Sequence, residues 1–221
     1  MNLNGNEWDK HWSNRFVNLN VIFKSYRKYI MSNALSYYFE QYFPKEGTFV
    51  EAGSGSSLTT HLVKKYNRKL IAVDISQKAL EEAKSNGKMD EFVHADITKQ
   101  LPFADDSIDG IWNLGVMEHF TQEEIDSSMQ EFYRVLKSGS YIIMFIPPVY
   151  SSTGLAYRVI EQVIHFFTRK EYKFYPDEIS RLKSKSEGMQ MAQRNGFVDV
   201  LVFFPWRNCF GDLVVVVRKP K

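Results

Sequence analysis

From about Thr48 onward the chain alternates short β-rich runs with segments of helical periodicity. A strand, a helix and a second strand of the same sheet make the parallel βαβ unit, so this alternation predicts an α/β fold with a mostly parallel sheet. Residues 48–52 form the first run and lead into Gly53-Ser54-Gly55-Ser56-Ser57. Ser56 or Ser57 is placed there to cap a helix carrying Leu58, Leu62, Val63 and Tyr66 on one face. Residues 70–75, apolar apart from Asp74, read as a strand buried on both faces, and Ser76 then caps a helix that bears Ala79, Leu80 and Ala83 and stops near Gly87. Residues 91–97 and 108–114 read as the third and fourth strands. Thr121-Gln122-Glu123-Glu124 has the spacing of a capping box, and Ile125, Met129, Phe132 and Leu136 mark an amphipathic helix closed by Gly139. Residues 141–146 are a fifth strand, halted by Pro147 and Pro148. A helix over 186–195 precedes Gly196, and runs at 197–204 and 213–217 form a closing antiparallel hairpin.

A chain of 221 residues supports one sizeable domain. Within it, residues 1–46 read as an N-terminal helical cap, 47–148 as a cofactor-binding core, 149–185 as a lid insertion, and 186–221 as the closing helix and hairpin. The insertion carries Leu155, Val159, Val163, Ile164, Phe166 and Phe167 with Arg158 and Arg169, an amphipathic pattern that reads first as plain lid packing and otherwise as the wall of an acceptor pocket or a contact with a lipid surface. Arg181, Lys183 and Lys185 read as a solvated basic face. With 28 basic and 26 acidic side chains the net charge is +2, which provides no global field to attract nucleic acid or anionic lipid. The single cysteine excludes a disulfide framework and a multi-cysteine zinc site. No apolar run approaches the roughly 18 residues of a membrane span, so a cytoplasmic protein without stable membrane association is expected.

In an open parallel sheet, ligands bind beyond the carboxyl ends of the strands. Gly53 and Gly55 fall at the first such end and allow a tight turn with close approach to the backbone. A dinucleotide fingerprint would need a third glycine where Leu58 stands, which favours a nucleoside without pyrophosphate over a nicotinamide cofactor. Asp74 lies 19 residues after Gly55 and ends the second strand, where its two oxygens can accept both hydroxyls of a ribose.

Glu51-Ala52-Gly53-Ser54-Gly55 resembles the first motif of the class I S-adenosylmethionine-dependent methyltransferases. The resemblance extends over roughly residues 48–146 through Asp74, Ala95-Asp96-Ile97, Leu101-Pro102-Phe103, residues 113–120 and residues 132–140. It departs at Ser57, where a third glycine is frequent, and at Ser140. It implies a Rossmann-like three-layer α/β/α sandwich on a seven-stranded sheet, six strands parallel and the last antiparallel. It implies S-adenosylmethionine as cofactor, with S-adenosylhomocysteine as product, and methyl transfer to a small-molecule acceptor of apolar or aromatic character by in-line attack on the methyl sulfonium. The cofactor-binding residues it implies are Glu51, Gly53, Gly55, Asp74, Ile75, Asp96, Ile97, Asn113, Leu114 and Gly115, with Asp96 accepting from the adenine amino group and Ile97 packing on the ring. His119 is the candidate general base, because a neutral imidazole accepts a proton near pH 7. No metal is expected, since Gly115 occupies the neighbourhood where metal-binding quinone-pathway relatives carry an extra acid. Trp8, His11 and Trp12 resemble an N-terminal helix that closes over the cofactor. The alternatives are a non-catalytic adenosylmethionine-binding partner subunit and an NAD-type oxidoreductase.

Overall fold

The computed structural model describes residues 5–13, 21–151 and 178–221, together with 154, 155, 159, 162, 165, 166 and 169. Much of the expected lid, including Arg158, Val163, Ile164 and Phe167, lies outside the described residues. Seven strands, β1 (Glu46–Ala52), β2 (Asn67–Asp74), β3 (Glu91–His94), β4 (Ile108–Leu114), β5 (Leu136–Ile146), β6 (Val198–Phe203) and β7 (Leu213–Arg218), form one sheet in the order β3-β2-β1-β4-β5-β7-β6. Pairing is parallel from β3 through β5, and β7 runs antiparallel to both β5 and β6. The closing hairpin therefore forms as expected, with the last strand inserted beside β5 and β6 left at the edge. Strand order reverses between β1 and β4, and the crevice at a topological switch point opens there, beyond their carboxyl ends.

The helices are α1 (Gly5–Ser13), α2 (Val21–Ser25), α3 (Ser32–Tyr42), α4 (Gln77–Asn86), α5 (Gln122–Val135) and α6 (Lys185–Arg194). A π-helical segment, Tyr26–Met31, joins α2 to α3. Alternate residues of each strand feed opposite faces of the sheet. Val50, Ile111, Ile142 and Val215 pack against Ile125, Met129 and Phe132 of α5 and Met191 of α6. Phe49, Leu70, Trp112 and Phe145 pack against Leu35 and Phe39 of α3 and Leu80 of α4. Phe39 meets Trp112 edge-on with ring centroids 4.9 Å apart.

Local signals set most boundaries. Ser76 caps α4 by accepting from the Ala79 amide, and Gly87 ends it in the left-handed region. Thr121 and Glu124 complete the capping box of α5. The structure corrects two elements. No helix forms over residues 58–66, where only the 3₁₀ turn Leu58–Thr60 appears. Tertiary partners account for this: the Thr59 and Thr60 hydroxyls donate to Glu51, and the Leu62 amide donates to Ser32 Oγ at 2.6 Å. Tyr66 then turns the chain with φ +45°. The second correction is at Gly139, which does not close α5; the helix ends at Val135 and β5 begins immediately, with Leu136 pairing Ile108. The Asp106 and Ser107 amides donate to the carbonyls of Arg134 and Val135 and so cap that end.

Candidate functional site

The carboxyl ends of β1, β2 and β4 bring the glycine loop, Asp74 and residues 113–115 to one edge of the sheet. The Gly53 and Ser54 amides donate to the Val73 carbonyl at 2.8 and 3.0 Å, which stitches the loop to β2. Asp74 Oδ2 accepts the Gly55 amide and Oδ1 the Ser76 amide, both at 2.8 Å. Each oxygen keeps a further lone pair. Burial pushes the Asp74 carboxyl up to about 6, against the two amides that favour its ionised form. Gly53 and Gly55 have φ of +69° and +50°, and a Cβ at Gly53 would lie 2.5 Å from Val116. Both the backbone conformation and the space call for glycine there.

Glu51, 2% exposed, ends β1 beneath this loop. Burial raises it to about 7, opposed by the surrounding hydroxyl and indole donors and by Arg27. Ile75 is half-buried, and its carbonyl meets His94 Nε2 at 2.7 Å. After β3, Asp96 accepts from the amide and hydroxyl of Thr98. Burial pushes Asp96 up, but Thr98 and Lys99 outweigh it and hold the carboxyl below its usual range. Ile97 is buried in the core layer beneath α5. At the end of β4, Asn113 Nδ2 donates to the Ala52 carbonyl at 2.6 Å, which ties the two strand ends together. Asn113 Oδ1 is buried with no hydrogen-bond partner among the described residues.

Helix α1 lies across this edge. Asp9 accepts from Ser76 Oγ at 2.6 Å, the bond that chiefly holds its carboxyl below the usual range. The Trp12 ring covers Gly55, so that a Cβ on Gly55 would lie 2.8 Å from it. Trp8 packs edge-on against His119 with centroids 5.2 Å apart.

Beside the glycine loop opens a cleft of about 650 Å³, part of it open to solvent. Its lining includes Tyr26 and Arg27 from the π segment, Thr59, Leu114, Gly115, Glu118, Glu178, Arg181 and Asp212. His119 is not among the lining residues, whereas its neighbour Glu118 is. Arg181, expected on a solvated face, instead lines the cleft and pairs with Glu178. Sequence reasoning missed Arg27, Glu178 and Asp212 as site residues, because no spacing connects positions so far apart in the chain. Glu118 lies within the segment 113–120 that carries the resemblance, next to the candidate base His119. Among the described residues, no three His, Cys, Asp or Glu side chains are arranged to hold a metal, and no helix is long and apolar enough to cross a membrane.

The family described as "Methyltransferase domain" matches residues 50–144. Comparison with curated protein sequences gives no significant match. Among solved structures, a putative S-adenosyl-L-methionine-dependent methyltransferase from Methanococcus maripaludis superposes with a TM-score of 0.69 at 17% identity, covering 100% of this chain and 98% of that one. A Thermotoga maritima protein described as an S-adenosylmethionine-dependent methyltransferase, possible histamine N-methyltransferase, gives 0.64 at 23% identity, covering 96% and 99%. A Haloferax volcanii putative methyltransferase, solved in complex with the activator Trm112, gives 0.67 at 17% identity, covering 97% and 98%. Residues 50–144 thus match the methyltransferase domain family, and the strand order gives the chain the Rossmann-like fold of S-adenosylmethionine-dependent methyltransferases.

Proposed function

We propose that the chain binds S-adenosylmethionine along the carboxyl edge of the sheet and transfers its methyl group to a small molecule held in the adjoining cleft. The reading is carried by one observation: Asp74 is bonded to the Gly55 amide, so the glycine loop and the acid of β2 form a single unit beside the cleft. The residues fit the cofactor. The loop offers backbone without Cβ atoms, Asp74 keeps a lone pair on each oxygen for vicinal ribose hydroxyls, and buried Asn113 Oδ1 is left for a donor. Asp96 would accept from the adenine amino group, while Ile75 and Ile97 would supply the apolar contacts to the nucleoside. Glu51 would orient the amino-acid end, with Asn113, Leu114 and Gly115 along the methionine side.

When bound, the cofactor supplies a methyl carbon on a positive sulfur. In-line displacement there asks the protein mainly to align a nucleophile and exclude water. Trp8 and Trp12 of α1 serve the exclusion by covering the edge, and His119 serves as a packing surface for Trp8. The test incubates the protein with methyl-labelled S-adenosylmethionine and a cell extract depleted of macromolecules. Label is expected to enter a small molecule, at least tenfold less with Gly55→Ala, whose Cβ would strain the loop and press on Trp12. A folded protein that binds the cofactor but labels no small molecule contradicts the reading.

A further inference from the structure

Among its described lining residues, the cleft beside the glycine loop carries more acids than cations. Glu118, Glu178 and Asp212 line it, with Arg27 and Arg181 as the cations among its described lining residues. Arg181 is engaged by Glu178. Arg27 faces two acids, Glu51 and Asp212, and opposes the burial that raises both to about 7. Glu118 is 4% exposed, and its Oε2 has no hydrogen-bond partner among the described residues. Its backbone is well fixed, since its carbonyl accepts the amides of Ile179 and Ser180. A carboxylate oxygen buried without a donor is costly, and a ligand that brings a donor with positive charge removes that cost.

We propose that the cleft takes an amine as methyl acceptor, with its nitrogen against Glu118. This rests on the methyl-transfer reading above and adds the chemical class of the acceptor. A phenol or alcohol would bring a donor to Oε2 but no charge to match an ionised Glu118; an ammonium ion brings both. A carboxylate or phosphate acceptor would add to the excess. Burial first, then the neighbouring Glu178 and Asp212, hold Glu118 well above the usual carboxylate range, with Arg181 opposing. Glu118 therefore holds its proton in the empty cleft and gives it to water as an ammonium ion enters and pairs with it; the same burial then favours transfer of an ammonium proton back to the carboxylate. The transfer of one proton to Glu118 frees the nitrogen lone pair. The N–C bond then forms as the C–S bond breaks, its electron pair staying on sulfur. The methylated product leaves as an ammonium ion, and Glu118 keeps the proton it holds in the empty cleft.

The test is a calorimetric titration of the protein saturated with S-adenosylhomocysteine, using phenethylamine, histamine and 2-phenylethanol as probes. Both amines are expected to bind at least tenfold more tightly than the alcohol. Glu118→Gln, nearly identical in shape, should erase that preference while S-adenosylhomocysteine affinity stays within about twofold. Asp212→Asn should reduce the preference in a protein whose Glu118 turn is untouched. Equal binding of alcohol and amines, no amine binding, or an unchanged preference in a folded Glu118→Gln overturns the inference while leaving the cofactor site standing. Failure of the wild type to bind S-adenosylhomocysteine overturns the methyl-transfer reading and the inference with it.

Discussion

At the scale of residues, this site depends on acids that the fold holds away from water. Glu51 titrates near 4.5 in an unfolded chain and at about 7 in the native protein. Between those values the unfolded state gives up its proton first, so stability falls as pH rises from about 4.5 and the loss is complete above about 7. Glu51→Gln removes this dependence and keeps the local bonding, because its amide can accept from one threonine and donate to the other. Denaturant unfolding at pH 5 and pH 8 should show that the variant loses less stability than wild type between the two, by a difference on the order of 3 kcal/mol. An unchanged difference would contradict the assigned burial cost. Glu51 was legible in the sequence from its place before the glycines. That Glu118 rather than His119 lines the cleft was not, because no periodicity in the segment after β4 says which side chain faces it. In the 3₁₀ turn Met117–His119, Glu118 lines the cleft while His119, whose Nε2 lies 3.9 Å from Glu118 Oε1, packs against Trp8.

Among the elements, the strand-to-helix units were readable wherever a cap and an apolar stripe agreed, as at Ser76 and Thr121. They were misread where distant groups took the backbone donors. Residues 58–66 have helical spacing, yet Ser32 and Glu51 claim their amide and hydroxyl groups and leave Leu62 and Tyr66 exposed. The end of α3 depends on another distant residue. Arg68, 2% exposed on β2, donates to the carbonyls of Phe43, Pro44 and Lys64 and pairs with Glu40 at 3.0 Å. It places a fixed positive charge where the helix dipole is negative, and its guanidinium lies 5.4 Å from the Phe39 ring centroid. Arg68→Ala would strand these buried acceptors and should cost about 3 kcal/mol or more, read as a lowered urea midpoint. A loss below about 1 kcal/mol, the range of an exposed pair, would show that α3 does not depend on this anchor.

For the whole molecule, seven strands in the order β3-β2-β1-β4-β5-β7-β6 place the motif-bearing ends on one edge. The mostly parallel sheet was legible in the sequence, because each strand end carries its own local signature. Sequence reasoning placed the cleft only coarsely, between the N-terminal helices and the 149–185 insertion, because the lining side chains come together from distant segments only once the chain has folded. Helix α1 completes the arrangement by bonding to Ser76 and covering Gly55 from the far end of the sequence. The central claim is that the edge formed by Gly55 and Asp74 is a site for an adenosyl nucleoside. Calorimetric titration with S-adenosylmethionine and S-adenosylhomocysteine, with NAD as control and Asp74→Ala as the variant, tests it most directly. The account predicts saturable binding of both adenosyl ligands, no comparable binding of NAD, and at least tenfold weaker binding by a folded Asp74→Ala. Absence of adenosyl binding by the folded wild type, or equal binding by the variant, would contradict it.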